Sequence, residues 1–156
     1  MDIDVSPTRD TTRRVQYCSK WRRIGNTIYV SASVGCDMMY HQRAPTPREQ
    51  MELGIANMMA AIQGAGSNKD YIAKLTMYLT RKDNHFDMMM SILAQYFGKP
   101  EDVPPWTCLG VSALPQATCF AIECICEFPG QLPPSGTATL SGQNVTNETP
   151  NQDYDA

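Results

Sequence analysis

The sequence predicts an α+β fold, with two helices on one face of a mostly antiparallel sheet. Three observations carry this. Some segments alternate apolar and polar residues, the period of a half-buried strand. Two others carry an apolar stripe at helical spacing. The segments follow one another in the order β-β-α-β-α-β-β, which fits helices gathered on one side of a sheet.

The segment "RVQYCSKWRRIGNTIYVSAS" reads as two strands around a Gly25-Asn26 turn, the second running Thr27 to Ser33. "GCDMMYHQRAPT" reads as loop. In "TPREQMELGIANMMAAIQGAG", Thr46 is the N-cap, Pro47 sits at N1 and Glu49 at N3, which together make a capping box. Met51, Ile55, Met58, Met59 and Ile62 form its apolar stripe, and Gly64 and Gly66 end it. In "DYIAKLTMYLT", Ala73, Leu75, Met77 and Leu79 are expected on one face, with Ile72, Lys74, Thr76 and Tyr78 on the other. A second helix is expected from about Asn84, its stripe made by Phe86, Met89, Met90, Leu93 and Phe97. Two strands close the pattern, Trp106 to Ser112 and Thr118 to Phe128, joined through Leu114-Pro115.

Composition bounds the rest. A chain of 156 residues that is 42% hydrophobic is long enough for one domain with a real core. Residues 14–129 carry the periodic pattern. Residues 1–13 and the tail 130–156, rich in Gly, Pro, Ser, Thr and Asn, have too little apolar surface to offset ordering and are expected to be flexible. No apolar run reaches the ~18 residues of a membrane span, and the N-terminus has no apolar signal core. The expectation is a cytoplasmic protein with reduced thiols. A net charge of −3 argues against a general nucleic-acid binder. No C-x-x-C pair is present and His41 and His85 lie far from any cysteine cluster, so neither a metal site nor a cofactor is expected.

With helices on one face, the other face of the sheet needs cover. Tyr29, Ser31, Ser33, Lys74, Thr76 and Tyr78 are too mixed for a dry core and too apolar for open water, so self-association through that face is expected.

"RRIGNTIYVSAS", "AAIQGAGSNKDYIAKLTMYLT", "LAQYFGKP" and "VSALPQATCFAIECIC" stand in the order and spacing of the Rid (YjgF-type) family, which the chain resembles from about Val15 to Phe128. These are the reactive-intermediate enamine and imine deaminases. The resemblance implies a chorismate-mutase-like homotrimer with a central barrel, three small-molecule clefts between subunits, and no cofactor. It also implies where the site lies. A carboxylate-holding arginine of the family aligns with Trp106, a catalytic-site glutamate with Ala121, a cleft asparagine with Met90, and an N-terminal tyrosine with Cys18, next to Tyr17. Ser31, Cys108 and Glu123 remain as candidate site residues, and His41 lies in a loop that borders the cleft in such proteins.

Each candidate has two readings. Trp106 either plugs the vacated cleft or forms an aromatic wall for a flat substrate. Cys108 shares a strand face with Trp106 and is either an inert thiol or a nucleophile or hydrogen-bonding group. Glu123, between Ile122 and Cys124, is either a general acid/base or a structural partner in a subunit contact. The departures from the family pattern point to a bulky or aromatic enamine, imine or enol-type substrate of a specialised, secondary-metabolite pathway, handled by proton transfer with or without hydrolysis. The alternatives are an ordinary 2-imino acid deaminase and a non-catalytic trimeric ligand-binding or chaperone-like module.

Overall fold

The computed structural model describes residues 3–5, 18–37 and 42–130. Among them, six strands form one sheet: β1 (Ile3–Val5), β2 (Trp21–Ile24), β3 (Thr27–Val34), β4 (Ile72–Leu79), β5 (Trp106–Gly110) and β6 (Phe120–Glu127), in the order β1-β2-β3-β6-β4-β5. Two helices, α1 (Pro47–Gly64) and α2 (Lys82–Phe97), join the α+β pattern that the sequence predicts. β6 holds the sheet together, since it pairs antiparallel with β3 along one edge and with β4 along the other. β4 and β5 are parallel, and a parallel pair needs a long crossover, which α2 supplies.

The core lies between the helices and one face of the sheet. Ile28, Val30, Leu75, Met77, Leu79, Ile122, Cys124 and Cys126 meet Met51, Ile55, Met58, Ile62, Met89 and Leu93 there, all buried. The α1 punctuation forms as read. Thr46 N–H donates to Glu49 Oε2 at 3.0 Å and Glu49 N–H donates to Thr46 Oγ1 at 3.3 Å. The helix stops where Gly66 takes φ +82°, a value a β-carbon disfavours. Gly35 allows α1 to start against the end of β3, because a Cβ there would collide with the Gln50 backbone.

Gln50 ties this corner together. Its side chain is buried, donates to Ala44 O at 2.9 Å and accepts from the Cys119 N–H at 2.8 Å. Arg43 Nη1 donates to Ala117 O at 2.6 Å, holding a β5–β6 turn in which Gln116 and Ala117 both have positive φ.

Several details depart from the sequence pattern. Ile72 is buried and Ala73 exposed, the reverse of strict alternation, because the β4–β6 register shifts between Ile72 and Lys74. α2 starts at Lys82 rather than near Asn84. β5 ends at Gly110 and β6 starts at Phe120, each shorter than the apolar pattern. Ile3–Val5, within the segment expected to be flexible, pairs antiparallel with β2, and Asp4 lies 3.9 Å from Arg23. The tail from residue 131 lies outside the described residues. No helix among the described residues is long and apolar enough to cross a membrane.

Candidate functional site

Glu123 points to the open face of the sheet, away from the helices, because its neighbours Ile122 and Cys124 face the core. Its partner is Tyr78, whose hydroxyl donates to Glu123 Oε1 at 3.0 Å. Burial and the adjacent Glu123 side chain both raise the Tyr78 pKa above its ordinary value, so at neutral pH Tyr78 is the protonated phenol that donates in this pair.

The β3–β6 ladder is regular up to Val30 opposite Cys124 and resumes at Ser33 opposite Ile122. Ser31 and Ala32 therefore share the single partner Glu123, a β-bulge at the position where the sequence placed two candidate residues. Ser31 is held twice: its N–H donates to Lys20 O at 2.9 Å and its Oγ donates to Ser19 O at 2.7 Å. Beside it an open pocket of ≈ 480 Å³ is lined by Cys18, Ser19, Trp21, Arg22, Tyr29, Val30 and Ser31. That volume is in the range of small-molecule clefts.

Trp106 and Cys108 belong to the other side. Their register partners on β4 are Leu75 and Met77, both core-facing, so the two side chains lie toward α2. The Trp106 ring meets Phe86 of α2 with centroids 5.8 Å apart and planes inclined at 57°. That contact leaves Trp106 41% exposed, an aromatic surface at the sheet edge rather than a filled core position. Cys108 is half-buried, and burial raises its thiol pKa, against a smaller lowering by the Lys82 charge. It is a thiol at neutral pH, suited to hydrogen bonding rather than attack. Met90, one helical turn beyond Phe86, is half-buried and packs against the core.

One chain thus brings Glu123 and Ser31 together on adjacent strands and places Trp106, Cys108 and Met90 on the α2 side. It does not bring the two groups together. Tyr17 and His41 lie outside the described residues. Tyr78 and Lys82 were missed as site neighbours. Alternation puts Tyr78 on the open face, but its contact with Glu123 depends on the β4–β6 register, which has no local signal. Among the described residues, no three His, Cys, Asp or Glu side chains are grouped as metal ligands.

Comparison with known proteins places this geometry in a wider set. Residues 10–128 match the family described as Endoribonuclease L-PSP. The RutC family protein YjgH of Escherichia coli is 31% identical over 111 residues, spanning 70% of this chain and 81% of that protein. A 2-iminobutanoate/2-iminopropanoate deaminase of Dermatophagoides farinae is 25% identical over 104 residues, covering 66% and 79%. The structure of YyfA from Yersinia pestis, a protein of the conserved Rid family, superimposes with a TM-score of 0.71 at 24% identity, covering 81% of this chain and 99% of that one. This likeness bears on the fold alone, and the chorismate-mutase-like architecture expected from the sequence agrees with it.

Proposed function

The chain belongs to the Endoribonuclease L-PSP (Rid) family, and from that membership we propose that it converts a small enamine or imine whose substituent is aromatic or otherwise bulky. The observation that carries the chemistry is the Tyr78–Glu123 contact on the open face. Protonation of an enamine at carbon, with loss of a proton from its nitrogen, gives the imine. Water then adds to the C=N carbon and ammonia leaves, giving the carbonyl product. Glu123 accepts a proton from the attacking water and returns one to the departing amine, while Tyr78 holds the carboxylate in place.

The Trp106–Phe86 pair supports the substrate preference: an exposed indole braced by a second ring offers a stacking surface. Such a substrate is the kind a specialised pathway supplies. Cys108 acts beside Trp106 as a hydrogen-bonding thiol, and Ser31 and Met90 belong to the lining.

The working form is a homotrimer. Tyr29, Leu109 and Ile125 are 48%, 47% and 37% exposed, a large apolar share for one sheet face. A second copy covering that face would also set its Trp106 edge against the Glu123 face of the first, uniting two groups that one chain holds on opposite sides of the sheet.

The test generates imines in place with an amino-acid oxidase, from L-phenylalanine and separately from L-2-aminobutyrate, and follows ammonia release. Acceleration confined to the phenylalanine-derived imine is the expected result. Acceleration confined to the small imine would instead identify an ordinary 2-imino acid deaminase. Ligand binding with no acceleration of either would identify a non-catalytic binding module.

A further inference from the structure

On the α2 side of the sheet, helix and edge strand run past each other with their functional side chains in step. Lys82 and Phe86 are four residues apart and share one face of α2. Trp106, Cys108 and Gly110 alternate along β5 on the face turned toward that helix. Phe86 meets Trp106 at 5.8 Å. At the other end, the Lys82 stem lies over Gly110: a Cβ on that glycine would sit 3.7 Å from Lys82 Cβ and 3.9 Å from Lys82 Cδ. The aliphatic part of the lysine thus rests on the strand, as long cationic side chains do on apolar surface. Its ammonium is felt at the Cys108 thiol, whose pKa it lowers against the effect of burial. Lys82 is exposed and makes no ion pair among the described residues.

We propose that this edge, where α2 meets β5, is a seat for an aromatic carboxylate, with the Lys82 ammonium taking the acid group and Trp106 the ring. The proposal rests on the reading above that the α2–β5 edge is one half of the ligand cleft, and it adds the substrate's charge. A ring stacked on Trp106 with an acid group directed along β5 toward Cys108 would bring that group toward the end of the strand over which the Lys82 stem lies. A neutral ring gains only the stacking. A small carboxylate gains only an exposed charge contact, which is weak alone. Selectivity therefore requires both halves of one molecule.

Tryptophan fluorescence tests this, because Trp106 is exposed whereas Trp21 is buried. The probes are phenylacetate, its neutral isostere phenylacetamide, and acetate, titrated at low salt. Phenylacetate is expected to bind about tenfold more tightly than phenylacetamide, with acetate silent. Lys82→Gln should bring phenylacetate down to the affinity of phenylacetamide, and Lys82→Arg should restore the preference. Equal binding of the two aromatic probes to the wild type would overturn the Lys82 assignment and leave the aromatic cleft standing. The Lys82 assignment also falls if Arg22→Gln removes the preference while Lys82→Gln keeps it, because the anion then sits in the β2–β3 pocket. Failure of every aromatic probe to bind would overturn the cleft reading along with this one.

Discussion

The Tyr78 hydroxyl donates to Glu123 Oε1 across the β4–β6 ladder at 3.0 Å, on the face of the sheet that the helices leave open. Tyr78→Phe removes the donor and leaves the carboxylate to solvent. A half-buried side-chain hydrogen bond of this kind contributes about 1 kcal/mol, so the urea midpoint should fall by a small, measurable amount.

The same pair gives a pH dependence. The folded-state Tyr78 pKa is raised above the 10.0 of the free phenol, first by burial and then by Glu123. A raised pKa means that the folded state holds its proton where the unfolded state has lost it. Stability from this source is complete below the unfolded value and declines as pH climbs through the folded one. Denaturant midpoints measured between about pH 9 and 11 should decline more steeply for the wild type than for Tyr78→Phe. Parallel curves would mean that Tyr78 titrates as a free phenol.

The local part of this structure was legible in the sequence. Thr46, Pro47 and Glu49 make the start of α1 a matter of three adjacent residues, and the Met51–Ile62 stripe follows from helical spacing alone. What could not be read depends on partners distant in sequence. Ile72 and Ala73 exchange faces because β4 shifts register against β6. Trp106 and Cys108 were correctly placed in phase with each other, yet which side they face is set by the parallel pairing with Leu75 and Met77. Lys82 gave no signal, since its position over β5 depends on a bare glycine at 110, distant in sequence.

Gln50 is the buried polar group with the most at stake. It is 5% exposed and satisfies both the Ala44 carbonyl and the Cys119 amide. Gln50→Leu keeps the bulk but strands a donor and an acceptor, at a cost of about 1–3 kcal/mol. The melting temperature should drop by several degrees, a larger loss than for Tyr78→Phe. An unchanged melting point would show that water replaces the amide without penalty.

Cys108 should behave as a protonated thiol. Burial raises its pKa, and Lys82 only partly offsets this. Maleimide labelling followed by mass spectrometry at neutral pH should modify the exposed Cys18 well before Cys108. Cys108→Ala should then weaken substrate affinity more than it slows turnover. A turnover loss as deep as that of Glu123→Gln would instead make the thiol part of the chemistry.

The placement of Glu123 and Trp106 on opposite faces of one sheet allows a test by mixing. Glu123→Gln and Trp106→Ala should each lose most activity toward the phenylalanine-derived imine at low substrate. In the first, proton transfer fails; in the second, the stacking surface is gone. If the working site joins the Glu123 face of one subunit to the Trp106 edge of another, the two defects can complement. Unfolding the variants together and refolding an equal mixture scatters them at random through the trimers. About a quarter of the clefts then receive an intact Glu123 from one chain and an intact Trp106 from its neighbour. Activity should rise to roughly that fraction of wild type, although neither parent has it. A double variant refolded with either single variant should give no such gain, because it contributes no intact half. Light scattering on the same samples would establish that trimers are present. Trimers without complementation would place the whole site within one chain, and a stable monomer would remove the intersubunit site altogether.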